Sequence, residues 1–227
     1  MNPVVRFSHV GKTYDNLQVL TDISFDVYEE DVVGIFGPSG SGKTTILKLT
    51  ANLIKPTSGT ITTGTGRIGY VFQEPRMLPW RTALDNVALT LRARGLDSDR
   101  AREKAAGWLA KMGLEGFRAY FPSQLSGGMV QRISLARAFA VEPDVLLLDE
   151  PFGALDVNLK GTMISLIQKL LESQPVTVLY VSHVPEEVVR IATRIFVLAS
   201  SGVLKEMPVM DHDTLVKVLK DSFMTDQ

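Results

Sequence analysis

The chain has 227 residues, with 24 Lys and Arg against 25 Asp and Glu, a net charge of −1 and 45% hydrophobic residues. This composition is typical of a globular protein and argues against attachment to nucleic acid by bulk positive charge. The absence of cysteine excludes disulfide bonds, thiolate metal sites and thiol nucleophiles. No window approaches 18 uninterrupted apolar residues, so no membrane-spanning helix is predicted. The length predicts one large domain, or one domain with an inserted subdomain.

Alternating apolar and polar residues predict two antiparallel strands near the start of the chain, at 4–10 and 23–27, with a turn at Asp15-Asn16. Short apolar runs further along predict buried strands, at 32–36, 68–72, 145–148, 176–181 and 195–198. Helical patterns separate most of these runs. The predicted fold is therefore α/β, with a mostly parallel sheet covered on both faces and an N-terminal antiparallel part.

A helical subdomain is predicted as an insertion in this α/β core. The stretch from about 77 to 124 has no strand-like run, and we take the subdomain to extend over about 77–140. Its arginines and lysines are one candidate for a nucleic-acid surface. Acidic residues alternate with them, however, which favours a solvated helix face and no nucleic-acid partner.

Residues 37–44 read GPSGSGKT and follow the pattern G-x-x-x-x-G-K-[ST] between a predicted strand and a predicted helix. Glycines in such a loop allow successive backbone N–H groups to point at one anion, and the helix dipole adds to the attraction. Lys43 would then reach the β- and γ-phosphates, and the Thr44 hydroxyl would ligate Mg²⁺. A flexible Gly/Ser turn is the alternative, but the strand before the loop and the helix after it favour a phosphate site.

Two carboxylates, Asp149 and Glu150, follow the apolar run at 145–148. The carboxyl end of a buried parallel strand is where ligands bind in open α/β sheets, so Asp149 is a candidate to hold Mg²⁺. Glu150 is then a candidate to orient or deprotonate an attacking water. A solvated acidic turn is the alternative interpretation.

The octet LSGGMVQR occupies residues 125–132, directly before a predicted helix. Ser126 is predicted to cap that helix, and the glycines after it expose backbone N–H groups that form a second cradle for an anion. A capped helix alone would explain this segment equally well.

Together, and in this order, the motifs at 37–44, 125–132 and 146–151 resemble those of an ATP-binding cassette ATPase, the nucleotide-binding subunit of an ABC transporter. The resemblance covers essentially residues 1–227 and implies a single domain with a P-loop NTPase core that hydrolyses ATP with Mg²⁺. It implies that nucleotide is bound by Tyr14, Gly37, Pro38, Ser39, Gly40, Ser41, Gly42, Lys43, Thr44, Thr45, Ser126, Gly127, Gly128 and Asp156. It also implies catalytic roles for Glu150, His183 and Gln73, and metal contacts for Thr44, Gln73 and Asp149.

Several of these roles depend on a match to the family at a single position outside the three motifs. Tyr14 corresponds to an aromatic residue that stacks on adenine, although an isolated tyrosine is more often an edge-strand residue. Gln73 corresponds to the glutamine that contacts Mg²⁺ and water. His183 stands where the family has its γ-phosphate histidine, but it precedes Val184-Pro185 instead of the usual Asp. Val130 likewise replaces the basic residue usual in the family's signature.

The resemblance also implies partners and a location. Two copies would form a head-to-tail dimer with ATP between them, at the cytoplasmic face of the cell membrane, bound to an integral membrane permease and served by a separate substrate-binding protein. Residues 71–87 are similar to importer ATPases for nitrate, sulfonate, taurine and pyrimidine precursors, which suggests a small anion as cargo.

A non-transport cassette ATPase acting on nucleic acid or ribosomes is the alternative. A GTPase is disfavoured because no Asn-Lys-x-Asp segment occurs, and a small-molecule kinase would not carry residues 125–132.

An apolar quartet, Met77-Leu78-Pro79-Trp80, lies between Gln73 and a predicted helix. Core packing would explain it, but Met and Trp are also enriched at the centres of protein interfaces. The sequence therefore predicts that this quartet either packs in the core or docks to the permease.

Overall fold

The computed structural model describes residues 2–64, 66–153, 155–208 and 210–224. Its strands are β1 (Val5–Tyr14), β2 (Leu17–Val27), β3 (Val32–Phe36), β4 (Ser58–Thr63), β5 (Ile68–Val71), β6 (Val145–Asp149), β7 (Thr177–Ser182), β8 (Arg194–Leu198) and β9 (Leu204–Glu206). Its helices are α1 (Lys43–Thr50), α2 (Ala83–Ala93), α3 (Ser98–Lys111), α4 (Gly127–Ala140), α5 (Val157–Ser173), α6 (Pro185–Ile191) and α7 (His212–Met224).

The larger sheet has the strand order β5-β6-β7-β3-β8-β9. The neighbouring strands in the order β5-β6-β7-β3-β8 all pair in parallel. The short β9 is antiparallel to β8, through pairs such as Leu198 with Leu204. Every residue of β6 and β7 is buried, as continuous apolar runs require when helices cover both faces of a sheet. The prediction of a mostly parallel α/β sheet is confirmed.

The smaller sheet is antiparallel, in the order β2-β1-β4. Strands β1 and β2 form a hairpin whose pairing runs from Val5 with Val27 to Tyr14 with Leu17. The turn falls on Asp15-Asn16, where Asp15 has a φ of 50°, a left-handed conformation that Asp adopts more readily than most residues. This confirms the predicted antiparallel start of the chain.

Three helices with side-chain N-caps make up most of the segment in which the helical subdomain was predicted. Thr82, Asp97 and Ser126 cap α2, α3 and α4, each accepting a hydrogen bond from a backbone N–H three residues on. The helices pack through buried apolar side chains, and the rings of Trp108 and Phe139 stack with centroids 5.7 Å apart. The limits 77–140 for this subdomain stay a prediction.

The parallel sheet separates two hydrophobic cores. One face packs against α1 and the antiparallel sheet, and the other packs against α4, α5 and α6. The carboxyl ends of β3, β6 and β7 therefore open at the same edge of the sheet as the N-terminus of α1. Among the described residues, no helix combines the length and apolar character needed to cross a lipid bilayer.

Candidate active site

The loop from Gly37 to Gly42 connects β3 to α1, and its conformation depends on glycine. Gly42 caps α1 with a φ of 106°, and a Cβ added there would lie 2.7 Å from Cγ1 of Val19. A Cβ added to Gly37 would lie only 2.4 Å from the carbonyl oxygen of Leu198. Larger residues would therefore strain or displace the loop, which holds its backbone at the N-terminus of α1, where an anion is favoured.

Lys43 is the first residue of α1, directly after this loop, and is 4% exposed. Its ammonium donates to the carbonyl oxygens of Gly37 at 2.9 Å and Pro38 at 2.8 Å, and it lies 3.3 Å from Oε1 of Glu150. Burial lowers the pKa of Lys43, and the carboxylate of Glu150 opposes that shift. A phosphate group arriving at this loop would supply a further negative partner for a desolvated cation.

Asp149 ends β6 and is 3% exposed. Its Oδ1 accepts a hydrogen bond from the Thr44 hydroxyl at 2.8 Å, and its Oδ2 accepts one from the Tyr70 hydroxyl at 3.1 Å. Burial raises the pKa of Asp149, whereas these two hydrogen bonds lower it. Burial, followed by the charge of Asp149, raises the pKa of Tyr70, so the phenol stays protonated as a donor.

The Thr44 hydroxyl and the Asp149 carboxylate are adjacent hard oxygen donors, the ligand type that Mg²⁺ prefers. The described residues contain no group of three or more His, Asp or Glu side chains that could hold a metal ion. The arrangement thus fits a Mg²⁺ ion that keeps water and binds phosphate oxygens, as Mg²⁺ usually does at nucleotide sites.

Glu150 is held between Lys43 and His183. Its Oε2 lies 2.9 Å from Nδ1 of His183, its backbone N–H donates to the carbonyl of Val181 at 3.1 Å, and its φ is 42°. A left-handed φ is uncommon for glutamate and is tolerated where surrounding contacts fix the backbone, as they often do at functional sites. Lys43, Glu150 and His183 are therefore in contact with one another through Glu150, and their catalytic roles stay predictions.

A cavity of about 300 Å³ opens over this cluster. Its lining combines the phosphate loop, Gln73 and Glu150, and includes Val19, Ser39, Gly40, Gly42, Lys43, Thr44, Thr45, Gln73 and Glu150. Within the described residues, the buried hydroxyl of Ser41 has no hydrogen-bond partner. A larger cavity of about 600 Å³, with Glu29 and Asp144 in its lining, lies outside this cluster and shares no residue with it.

Other predicted nucleotide-binding residues do not line this cavity. Ser126 and Gly127 are exposed at the start of α4, and a Cβ added to Gly128 would lie 2.4 Å from Leu159, so Gly128 faces α5. Asp156 caps α5 by accepting from the backbone N–H of Leu159 at 2.9 Å. Their nucleotide contacts stay predictions. The segment Ala154-Leu155-Asp156 resembles the family's loop that crosses the dimer interface, and Ala154 lies outside the described residues.

Tyr14 also stands apart from the cavity lining. Its ring is 40% exposed at the end of β1, and the ammonium of Lys12 lies 4.8 Å from the ring centroid. The exposed ring is accessible to a base, and because β1 lies between β2 and β4, Tyr14 does not belong to an edge strand. The adenine role of Tyr14 stays a prediction.

Sequence reasoning missed Tyr70, which hydrogen-bonds the predicted metal ligand. The signal was indirect, because β5 and β6 are adjacent and Tyr70 lies on β5 near the end that leads to Gln73. A strand-order assignment would have been needed to place its hydroxyl beside Asp149.

The chain is similar to known proteins over most of its length. Residues 20–153, more than half of the chain, match the family model described as ABC transporter. The chain is 42% identical over 205 residues to the aliphatic sulfonates import ATP-binding protein SsuB 1 of Rhodococcus jostii, covering 88% of this chain and 81% of the relative. It is 40% identical over 216 residues to the taurine import ATP-binding protein TauB of Shigella dysenteriae, covering 91% and 84%.

A solved structure shares the fold. It is the dimeric post-hydrolysis state of an ATP-binding cassette bound to ADP and phosphate, and it matches with a TM-score of 0.81 and 31% identity, covering 91% of this chain and all of the other. Fold and site together define an ATP-binding cassette that hydrolyses ATP. The chain belongs to the ABC transporter family, as its ATP-binding ATPase subunit, which confirms the resemblance seen in the sequence.

Proposed function

We propose that this subunit uses Mg-ATP to drive the import of a small organic anion of the sulfonate or taurine type. The observation that carries the proposal is the convergence of Lys43, Thr44, Asp149, Glu150 and His183 at one edge of the parallel sheet. The names of the two relatives, which import sulfonates and taurine, support this cargo over nitrate or a pyrimidine precursor. They also support transport over the alternative of action on nucleic acid or ribosomes.

Each side chain has a role that follows from its surroundings. Lys43 and the backbone of residues 37–42 would bind the β- and γ-phosphates, and Thr44, Asp149 and Gln73 would hold Mg²⁺, which neutralises phosphate charge when bound. Glu150 would accept the proton of the attacking water. Nδ1 of His183 contacts Glu150, so Nε2 is the ring nitrogen that would face a γ-phosphate oxygen, donating to it when the ring carries both protons.

A second copy of the chain would complete the nucleotide site. Ser126 and Gly127 lie away from the phosphate cavity, yet a Cβ added to Gly127 would meet nothing within 4 Å, so the start of α4 has room for an anion. Its free backbone N–H groups and the helix dipole favour one. We assign this anion to ATP bound by the other subunit, with Asp156 near the shared interface, and the dimeric cassette described above supports this arrangement.

The segment around Trp80 would dock to the permease. Trp80 is 70% exposed, so the core alternative does not describe it, although Met77 is half-buried and packs against the core. Asn86 fixes the segment, because its side chain accepts from the backbone N–H of Leu78 at 2.8 Å and donates to the carbonyls of Leu78 and Arg81 at 3.2 and 3.0 Å. An exposed aromatic residue on a fixed backbone is a good anchor for a partner.

A groove of about 430 Å³ continues from this segment between β5 and α2. The groove is lined by apolar side chains and by Arg76 and Arg94. The guanidinium carbon of Arg76 lies 4.6 Å from the centroid of the Phe72 ring. These side chains suit a permease segment that carries apolar residues and a carboxylate. The subunit would then be peripheral at the cytoplasmic face of the membrane, with a separate binding protein delivering cargo on the other side.

The proposal is tested by growth of a strain that lacks this gene. Growth with a sulfonate or taurine as the sole sulfur source should fail in the deletion strain and return with the parent gene, but not with Glu150→Gln. Growth on sulfate serves as the control. Normal growth on sulfonates and taurine together with loss of nitrate or pyrimidine-precursor uptake would overturn the proposed cargo.

A further inference from the structure

A buried carboxylate, Glu187, lies behind the His183 loop and has no role in the mechanism above. It is 5% exposed, and its Oε2 accepts hydrogen bonds from the hydroxyls of Tyr180 at 2.9 Å and Ser182 at 2.8 Å. Its Oε1 makes no hydrogen bond of good geometry but lies 3.3 Å from Nζ of Lys160. Buried carboxylates are rare unless a cation and hydrogen-bond donors surround them, as they do here.

Ser182 and Val184, the residues on either side of His183 in the sequence, are both hydrogen-bonded to Glu187. Ser182 precedes it and donates to Glu187, and the same hydroxyl accepts from the backbone N–H of Val184 at 3.1 Å. The backbone N–H of Glu187 donates back to the carbonyl of Val184 at 3.2 Å. Both neighbours of His183 are therefore tied to Glu187, although the imidazole itself is 44% exposed.

Lys160 carries this connection to another part of the protein. It lies in the first turn of α5, where its backbone N–H donates to the carbonyl of Asp156 at 2.9 Å. The residue before it, Leu159, is the side chain that a Cβ on Gly128 would contact. One turn of α5 thus touches both the glycine-rich start of α4 and the carboxylate behind His183.

We propose that the Lys160–Glu187 ion pair positions His183 against Glu150 by holding the His183 loop to the first turn of α5. Both are positioning residues, since neither lines the phosphate cavity. A movement of the first turn of α5 would be transmitted to the imidazole through the side chains of Lys160 and Glu187. The positions of α4 and α5 would therefore affect the geometry of the groups that hydrolyse ATP. The inference rests on the role proposed above for His183.

The central experiment compares Lys160→Met with Lys160→Arg in the full-length protein. Lys160→Met keeps most of the side-chain volume and removes the charge, so we expect kcat for ATP to fall about 10-fold, a typical loss when a residue that orients a functional group is removed. The KM for ATP should stay within about 2-fold, because the phosphate loop is untouched. Lys160→Arg should restore kcat, and Lys169→Met, at an exposed site on the same helix, should have no effect.

A double-mutant cycle separates positioning from general structure. If Lys160 acts through His183, then Lys160→Met should cause no further loss of kcat in a His183→Ala background. An equal loss in both backgrounds would overturn the inference. Should Lys160→Met not fold, Lys160→Met/Glu187→Gln replaces it with the same expectations, because it leaves no unpaired carboxylate buried.

A spectroscopic measurement keeps the inference distinct from the proposed function. The chain has three histidines, so the ring signals of His9, His183 and His212 can be assigned by substitution and followed by NMR. Lys160→Met should shift or broaden only the His183 signal. An unmoved His183 signal would overturn the inference whatever the activity, whereas a moved signal with full activity in His183→Ala would support the positioning and refute the proposed role of His183.

Discussion

Replacing Asp149 by asparagine should stabilise the nucleotide-free subunit while removing a ligand for Mg²⁺. Burial raises the pKa of Asp149 even though Thr44 and Tyr70 donate hydrogen bonds to it. The net direction of the shift means that folding disfavours the carboxylate form of Asp149 relative to the unfolded chain. Asparagine has nearly the same shape, keeps one acceptor oxygen and carries no charge.

The sign of the pH dependence follows from linkage. Because the folded-state pKa lies above the unfolded value, the stabilising contribution is fully present below the unfolded pKa, about 3.9, and is lost as pH rises through the folded pKa. Single stabilising substitutions commonly contribute up to about 2 kcal/mol, and we expect about 1–2 kcal/mol from removing this buried charge. For a chain of this size, about 1 kcal/mol moves Tm by about 2–4 °C, so Asp149→Asn should raise Tm by about 2–8 °C at pH 7.

The assay is thermal unfolding in EDTA at a series of pH values. The difference in Tm between Asp149→Asn and the parent should narrow as the pH falls towards the unfolded pKa of about 3.9, because the raised folded-state pKa lets the parent carboxyl take up its proton more readily in the folded protein. Asp144→Asn is the matched control, since it breaks the surface pair with Arg67 and should not stabilise. A lower Tm for Asp149→Asn at pH 7, or a difference that does not change with pH, would refute the reasoning.

Three further predictions concern single side chains. Glu150→Gln should lower turnover by about 100-fold or more while ATP binding persists, because only proton acceptance is lost; rapid-quench hydrolysis assays check this, and a loss of a few-fold would contradict it. Tyr14→Ala should weaken ATP and GTP alike by about 1–3 kcal/mol if the ring stacks on the base; calorimetry checks this, and unchanged affinity would leave Tyr14 a structural residue at the end of β1. Trp80→Ala should change the free energy of unfolding by less than about 0.5 kcal/mol and leave basal hydrolysis intact, since the side chain is 70% exposed. The same variant should impair transport by the assembled complex, and full transport activity would count against docking at Trp80.

Much of the parallel core was predictable because its strands are continuous apolar runs with sharp ends. The run predicted at 145–148 is β6, which extends one residue further to include Asp149, and β5 ends at Val71, one residue before the predicted end. Ser126 was correctly predicted as a helix N-cap. The short strands β4 and β9 were missed because they are largely exposed edge strands without a buried stripe to mark them.

The carboxylates of α6 show what sequence could not supply. Glu186 and Glu187 are adjacent, and periodicity alone does not say which one faces inwards. In the structure Glu186 is half-exposed and pairs with Lys220 of α7, whereas Glu187 is buried against Tyr180 and Ser182. Only the packing of α6 on β7 distinguishes them, since it sets the rotation of the helix about its axis.

The active site concentrates features that oppose the stability of the empty subunit. Burial lowers the pKa of Lys43 and raises the pKa of Asp149, so it favours the neutral form of each group. In addition, the backbone of Glu150 has a left-handed conformation. Phosphate would supply a second negative partner for Lys43, beside Glu150, and Mg²⁺ would supply a positive partner for Asp149. Binding to the folded state alone stabilises it by about RT ln(1 + [L]/Kd), so nucleotide occupancy and stability are coupled. The same groups that make the nucleotide-free site unfavourable would therefore make the site selective for a polyanion with a divalent cation.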